Sequence, residues 1–173
     1  MTGNLSPERR GIPTMYRGVK MRSRLEARWA AMFDEIGWPW AYEPIDLDGY
    51  IPDYLVSFEA GKLLTEVKGA VEDFAIAESK IECSGWTDEA LVVGATIDGP
   101  VIGRILEWDG ADPRWGEAQI FFCISCGMVS VLCVDGSWRC RACGADDGNS
   151  HVGEFALEAT WANCGNRVQW RPE

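Results

Sequence analysis

The segment formed by residues 51–69 places the strongest constraint on the fold of this chain. Two short runs rich in apolar residues, 54–58 and 63–67, flank four turn-prone residues that include Gly61. Apolar runs separated by a short loop with glycine predict a β-hairpin. A hairpin returns the end of its second strand to the start of its first. Residues far apart in this segment are therefore expected to meet at one end of the hairpin.

Three charged residues fall at that end. Asp53 opens the first strand directly after Pro52, and Glu66 and Lys68 close the second strand. Because side chains alternate across a strand, Glu66 and Lys68 are expected on one face and Val67 on the other. Two carboxylates beside an ammonium group predict a site for a hard cation. A surface hairpin with ordinary solvated charges is the simpler alternative.

The spacing of these residues resembles a known nuclease signature. Pro52-Asp53, then twelve residues, then Glu66-Val67-Lys68 is similar to the motif of the PD-(D/E)XK nuclease superfamily. With Glu26 ahead of it, the order resembles a subset that includes archaeal-type Holliday junction resolvases and the endonuclease subunits of some transposons. The resemblance covers roughly residues 16–96. The layout of the chain also resembles small phage and actinobacterial nucleases.

The resemblance implies a catalytic site formed by Glu26, Asp53, Glu66 and Lys68. Asp53 and Glu66, with the backbone carbonyl of Val67, would hold a catalytic Mg²⁺ or Mn²⁺ ion that supplies Lewis acidity. Lys68 would orient the attacking water or stabilise the developing negative charge. The implied function is hydrolysis of phosphodiester bonds in DNA, in phage-type recombination, repair or processing. A non-catalytic zinc-ribbon protein that binds nucleic acid or acts as an adaptor is the alternative.

A helix predicted over residues 22–36 gives Glu26 two competing roles. The apolar residues of this segment recur at helical spacing: Leu25, Trp29, Met32, Phe33 and Ile36. Ser23 and Glu26 fit a capping box, and Gly37 is a helix stop. A capping glutamate would reach back to the amide of Ser23, whereas a catalytic one would point towards Asp53. The sequence alone leaves both roles open.

The predicted elements follow the order helix, three strands, helix, strand. The three strands cover residues 38–44, 54–58 and 63–67, the second helix covers 71–81, and a buried strand covers 90–96. This αβββαβ order is that of the nuclease core. The expected fold class is therefore α/β, a mixed-sheet, restriction-endonuclease-like core with a small four-cysteine zinc ribbon. The predicted divisions are an irregular arm at 1–15, the nuclease core at 16–118, the ribbon insertion at 119–150, and a C-terminal helix and strand at 151–173.

Two further segments of the chain have less regular sequence patterns. Residues 98–117 are rich in turn-forming residues and receive no assignment. In the last division, a helix is expected over 154–162, a stop at 163–165, and a strand over 167–170 that packs back on the core.

Two Cys-x-x-Cys-Gly motifs separated by thirteen residues predict a metal site. Their four thiolates are expected to bind structural zinc: Cys123, Cys126, Cys140 and Cys143. The ribbon strands are expected at 128–134 and 137–139. An iron–sulfur cluster is the alternative, although such clusters in nuclease relatives usually use one distant cysteine and a close trio. The remaining candidates receive no role: Cys83, Cys133, Cys164 and His151.

The distribution of charge is more informative than the net charge of −11. Residues 1–28 carry seven basic and two acidic side chains, a net of +5, whereas the remainder carries nine basic and twenty-five acidic ones, a net of −16. A basic segment on an acidic body predicts contact with DNA phosphates. The expected DNA-binding residues are Arg17, Lys20, Arg22 and Arg24. A solvated, arginine-rich helix start is the alternative.

The sequence also bears on location and assembly. No apolar run approaches the ~18 residues of a membrane span, and residues 1–11 lack the apolar region of a signal peptide. With paired cysteines and no secretory signal, the expected compartment is the reducing cytoplasm of a bacterial or phage-infected cell. Partners other than DNA are not indicated, but the resemblance to junction resolvases leaves a homodimer open.

Overall fold

The computed structural model describes residues 11–109, 111–136, 138–146 and 157–168. These residues form three helices: α1 (Arg24–Ile36), α2 (Phe74–Cys83) and α3 (Leu157–Arg167). The strands are β1 (Thr14–Tyr16), β2 (Val19–Met21), β3 (Trp40–Tyr42), β4 (Tyr54–Phe58), β5 (Gly61–Val67), β6 (Ala90–Asp98), β7 (Val101–Asp109), β8 (Asp112–Phe122) and β9 (Val129–Cys133). A single 3₁₀ turn, Val71–Asp73, precedes α2.

Strands β3 to β9 form one curled, seven-stranded mixed sheet in which neighbours follow chain order. Only β5 and β6 run parallel, with Glu66 opposite Val92. The other five pairs are antiparallel. Parallel neighbours need a crossover connection, and α2 provides it between β5 and β6. Strands β1 and β2 form a separate two-stranded hairpin.

Alternation along the central strands divides the core into two parts. Leu91 and Val93 of β6 belong to the large cluster that contains α1 and α3. Ala90 and Val92 of the same strand belong to a smaller cluster with α2. Side chains alternate across a strand, so α1 and α3 cover one face of the sheet and α2 covers the other. The result is a three-layered α/β arrangement.

Helix α1 lies at the centre of the larger core. Trp29 and Phe33 are fully buried, and Trp29 donates a hydrogen bond from Nε1 to the carbonyl of Gly94 at 2.9 Å. Trp38, just beyond the helix, donates to the carbonyl of Val129 in β9 at 2.8 Å. Each buried aromatic side chain contributes on the order of 1.5–3 kcal/mol. The sheet curls around α1. Its last strand, β9, consequently lies close to Trp38, in the segment before its first strand, β3.

The order α1, β3, β4, β5, α2, β6 agrees with the predicted order of elements. Residues 98–117, unassigned from sequence, lie almost entirely in β7 and β8, which form a long antiparallel hairpin. Pattern alone missed these strands because turn-forming residues interrupt them. No helix among the described residues is long and apolar enough to cross a membrane.

The C-terminal helix differs from the prediction. It continues through the expected stop at 163–165, and Arg167, expected in a strand, is its last residue. Gly165 lies within this helix at a position where an added Cβ would be crowded, 3.1–3.4 Å from the guanidinium of Arg28. That guanidinium donates two hydrogen bonds to the carbonyl of Trp161. Close packing on α1 thus favours helix over the glycine stop signal. Val168, also expected in that strand, lies in a turn. Residues 169–170 of the predicted strand lie outside the described part of the chain.

The boundaries of the predicted divisions also shift. Strand β8 runs through the expected boundary between residues 118 and 119, and β9 pairs with it in the main sheet. Residues 138–139, expected in the second ribbon strand, are not in a strand. All five residues of β9 are buried. Both faces of this strand are therefore covered by other parts of the protein, which a small ribbon could not provide. The predicted arm at 1–15 extends too far, because β1 begins at Thr14.

Candidate active site and cysteine cluster

The hairpin of β4 and β5 brings the predicted carboxylates together. Asp53 lies directly before β4, and its Oδ2 accepts a hydrogen bond from the backbone amide of Val67 at 2.8 Å. Glu66 precedes Val67 in β5. Asp53 is 3% exposed and Glu66 is 5% exposed. Two carboxylates are thus held at one end of the hairpin, almost completely shielded from solvent.

Both carboxylates have cationic partners. Lys68 Nζ donates to Glu66 Oε1 at 2.6 Å, and Arg22 Nη2 donates to Asp53 Oδ1 at 2.5 Å. The remaining oxygen of Glu66, Oε2, accepts a hydrogen bond from the hydroxyl of Tyr50 at 2.9 Å. Burial, followed by the charge of Glu66, raises the pKa of Tyr50, so it is a neutral donor near pH 7. The site is a compact network of alternating charges.

Glu26 takes part in capping α1. Its backbone amide donates to Ser23 Oγ at 3.1 Å, and Ser23 Oγ donates back to Glu26 Oε1 at 2.7 Å. Glu26 Oε2 accepts from the amide of Arg22 at 3.0 Å and from the hydroxyl of Tyr42 at 2.6 Å. The glutamate therefore reaches back to the amide of Arg22, one residue earlier than a standard capping box predicts. It also lines the same cleft as Asp53.

The carboxylates act on one another electrostatically. Burial is the main reason that the pKa of Asp53 is raised to about 7, and the charge of Glu66 is the second. Glu26 adds to this increase, whereas the Val67 amide and the Arg22 guanidinium oppose it. The raised pKa therefore reflects first the removal of the carboxyl group from water and second the repulsion between neighbouring carboxylates. A cation bound between these carboxylates would relieve the repulsion.

These residues line a cleft of about 800 Å³. Four basic side chains border it: Arg22, Arg24, Lys68 and Lys80. Lys80, on α2, and Tyr50 were missed by sequence reasoning, since no local pattern links either residue to the hairpin. Of the four predicted DNA-binding residues, Arg22 and Arg24 line the cleft, whereas Arg17 and Lys20 do not. Arg17 instead pairs with Asp34 at 2.8 Å.

The donor set of the cleft suits a hard divalent cation only in part. Carboxylate oxygens are the donors that Mg²⁺ prefers, and Asp53 and Glu66 supply them. However, Glu26, Asp53 and Glu66 do not form a group with all ligand atoms within 4.8 Å of one another; among the described residues only a cysteine cluster does. A single ion bound by these carboxylates at Asp53 Oδ1 would compete with the guanidinium of Arg22, which now contacts that oxygen.

The cysteine cluster combines two residues from the connection between β8 and β9 with two residues that follow β9. The Sγ atoms of its four members all lie within 4.8 Å of one another: Cys123, Cys126, Cys140 and Cys143. The two turns match, because Gly127 and Gly144 have φ values of 73° and 74° and donate to the carbonyls of Cys123 and Cys140 at 2.7 Å. These left-handed values favour glycine. Four close thiols can hold a metal ion such as zinc.

The other cysteines stand apart from this cluster. Cys133 is a buried side chain of β9, and burial raises its pKa. Cys83 is exposed at the end of α2, and Cys164 is buried on α3. None of the three belongs to the four-cysteine group. His151 lies outside the described residues.

A buried arginine ties the cysteine cluster to the sheet. Arg141, next to Cys140, is 2% exposed. Its guanidinium contacts Glu89 at 3.0 Å and Glu107 at 2.5 Å, and it donates to the carbonyl of Val131 at 2.7 Å. Glu89 precedes β6 and Glu107 belongs to β7. One side chain therefore joins the second cysteine turn to β7, to β9 and to the residue that precedes β6.

Comparison with family models, curated proteins and solved structures finds no match to this chain. No family assignment follows from these comparisons. A fold alone also does not define an activity. The function therefore has to be argued from the geometry and chemistry of the cleft and the cysteine cluster.

Proposed function

We propose that this protein is a metal-dependent nuclease that hydrolyses phosphodiester bonds in DNA. The observation that carries the proposal is the burial of two carboxylates, Asp53 and Glu66, beside Lys68 in a cleft bordered by basic side chains. Carboxylates are rarely this buried, because removing their charge from water is costly even when they are paired. Perturbed ionisable groups in a cleft are typical of functional sites.

The topology supports the finer proposal of a restriction-endonuclease-like core. The segment from α1 to β6 has the αβββαβ order, and its hairpin carries the motif Pro52-Asp53 and Glu66-Val67-Lys68. The same hairpin end contains the buried carboxylates. Motif and geometry are thus consistent with the PD-(D/E)XK resemblance.

Each residue of the cleft would have a separate task. Asp53 and Glu66, with the carbonyl of Val67, would hold Mg²⁺ or Mn²⁺, which supplies Lewis acidity when bound. Lys68, held by Glu66, would position water or stabilise negative charge on the phosphate. The hydroxyl of Tyr50 keeps the carboxylate of Glu66 in orientation. The other basic residues of the cleft would bind the DNA backbone: Arg22, Arg24 and Lys80.

One observation favours a second candidate, a non-catalytic nucleic-acid-binding or adaptor protein. Each side-chain oxygen of Asp53 and Glu66 already has a partner within the protein. A network satisfied in this way can be purely structural. In that case DNA would bind to the basic cleft without being cut.

Digestion of end-labelled DNA separates the two candidates. Linear, flap, four-way-junction and circular DNAs would be incubated with Mg²⁺, Mn²⁺ or EDTA. We expect cleavage that requires the metal and falls at least ~10²-fold in Glu66→Gln, the size of effect seen when a principal electrostatic group is removed. Glu59→Gln is the matched control, because this exposed glutamate lies at the opposite end of the same hairpin. DNA binding without cleavage in any metal would support the adaptor instead.

We further propose that the cysteine cluster holds structural zinc. Four thiolate donors leave no coordination position for water or substrate, which is typical of structural sites. The cluster joins the connection between β8 and β9 to residues 138–146, and neither segment contains a helix or a strand. It would therefore stabilise the end of the sheet and take no part in catalysis.

A further inference from the structure

Arg22 combines a fixed backbone with an exposed side chain. Its amide donates to Glu26 Oε2 and to the hydroxyl of Tyr42, both at 3.0 Å. Its side chain is 58% exposed, yet its guanidinium reaches the nearly buried Asp53. The main chain is thus anchored at the edge of the cleft, while the side chain is accessible to a ligand from solvent.

Arg22 contacts the oxygen of Asp53 that is not bonded to the hairpin backbone. Asp53 Oδ2 accepts from the backbone of Val67, a bond that is built into the hairpin. Asp53 Oδ1 contacts the guanidinium of Arg22. A metal ion bound at Oδ1 and the guanidinium repel each other, because like charges a few ångströms apart interact strongly in a shielded site. Binding of one cation therefore weakens binding of the other.

A second carboxylate holds the guanidinium in this position. Arg22 Nε pairs with Glu43 Oε1 at 2.9 Å. Glu43 has a φ of 45°, a left-handed conformation that costs a non-glycine residue roughly 1–2 kcal/mol. Its amide donates to the carbonyl of Asp53 at 2.9 Å. Backbone strain maintained at a cleft is a feature of functional positions, and here it places Glu43 against Arg22.

We propose that Arg22 is a displaceable counter-ion that makes binding of the catalytic metal depend on DNA. Without DNA, its guanidinium neutralises Asp53 and lowers the affinity of the site for a divalent cation. A DNA phosphate in the cleft competes for the guanidinium, since arginine binds phosphate in the same bidentate manner as carboxylate. Asp53 then becomes available to the metal. This inference rests on the proposed nuclease function.

The coupling can be measured without cleavage. Mn²⁺ binding would be followed by electron paramagnetic resonance, with and without a phosphorothioate duplex, after subtracting Mn²⁺ bound by the duplex alone. By linkage, the duplex should tighten Mn²⁺ binding to the wild-type protein by at least ~5-fold, within the usual range of coupling between sites. Arg22→Gln should bind Mn²⁺ at least ~5-fold more tightly than wild type without DNA and gain little from the duplex.

Two controls make the outcomes distinct. Arg17→Gln removes an arginine–carboxylate pair outside the cleft and should behave as wild type. Asp53→Asn should lose the Mn²⁺ site. Equal Mn²⁺ affinity in wild type and Arg22→Gln, abolished in Asp53→Asn, would overturn the counter-ion role and leave the nuclease proposal intact. Mn²⁺ binding that is insensitive to Asp53→Asn would overturn both. Melting curves of each variant would verify folding.

Discussion

Asp53 shows at the scale of one residue how burial of a carboxylate lowers the stability of the folded protein. Its pKa is raised from the ordinary value of 3.8 to about 7, mainly by burial. The folded protein therefore holds a proton that the unfolded chain releases between these two values. Stability contributed by the protonated group is present below about pH 4 and is lost as the pH rises to about 7. The ionised form destabilises the fold at neutral pH.

Replacement of Asp53 by asparagine should consequently stabilise the metal-free protein at high pH. The amide oxygen can still accept the bond from Val67, but no charge is buried. We expect the unfolding free energy of Asp53→Asn, relative to wild type, to increase by about 1–4 kcal/mol between pH 4 and pH 8. Urea denaturation in EDTA at several pH values measures this difference. A pH-independent difference would show that Asp53 is not destabilised by its charge.

Glu26 provides a second test at the residue scale. Its oxygens contact Ser23, the Arg22 amide and Tyr42, which are parts of the helix start and of β3. This geometry favours the capping role, so Glu26→Gln should retain cleavage within about threefold and lose roughly 0.5–1 kcal/mol of stability. Cleavage assays over a range of Mg²⁺ concentrations, with thermal melts, measure both quantities. A loss as large as that in Glu66→Gln would instead establish Glu26 as a catalytic residue.

At the scale of elements, the cysteine cluster closes the end of the β8–β9 pair. Two features hold this region in place. They are the two glycine turns and the guanidinium of Arg141, which contacts Glu89 and Glu107. A metal ion bound to the four thiols would hold the second cysteine turn in its position beside the sheet. Metal binding would then be coupled to folding of this part of the molecule.

Removal of one thiol should reveal that coupling. We expect one zinc per purified chain, and we expect Cys140→Ser to lose the metal and to lower the melting temperature by several degrees. Cys83→Ser is the matched control, because this exposed cysteine lies outside the cluster. Elemental analysis and calorimetry provide the measurements. Iron, with the visible absorbance of a thiolate-bound cluster, would replace zinc in this assignment.

At the scale of the whole molecule, the basic side chains that the sequence predicts to contact DNA lie on two surfaces, one at the cleft and one outside it. The chain is acidic overall, with a net charge of −11, yet the cleft is bordered by Arg22, Arg24, Lys68 and Lys80. Arg17 and Lys20, although part of the same basic segment, lie outside the cleft. Under the proposed function, we therefore expect DNA to be attracted mainly to the cleft itself.

The salt dependence of DNA binding tests this separation. Each phosphate contact contributes a slope of about −0.9 to log K against log salt on duplex DNA. Replacing Arg24 and Lys80 together by alanine should flatten the slope by about 1.8. Replacing Arg17 and Lys20 together should leave it unchanged. Fluorescence anisotropy in Ca²⁺ measures both variants, and the opposite result would place the DNA on the β1–β2 hairpin.

The sequence by itself determined the features that depend on local spacing. The αβββαβ order follows from apolar periodicity and turn residues, and the meeting of Asp53 with Val67 follows from the geometry of a hairpin. The four-cysteine cluster follows from two repeated turns. In each case the interacting groups are close in sequence or are joined by a pattern whose geometry is fixed by the backbone.

Only the tertiary structure decided which distant residues share the cleft. Lys80 and Tyr50 reach it from elements whose local sequence carries no sign of this position, and Arg17 is directed away by its pairing with Asp34. The continuation of α3 through Gly165 depends on packing against Arg28. The burial of β9 likewise depends on how the sheet curls around α1. These outcomes arise from contacts between segments far apart in the chain, which no local pattern encodes.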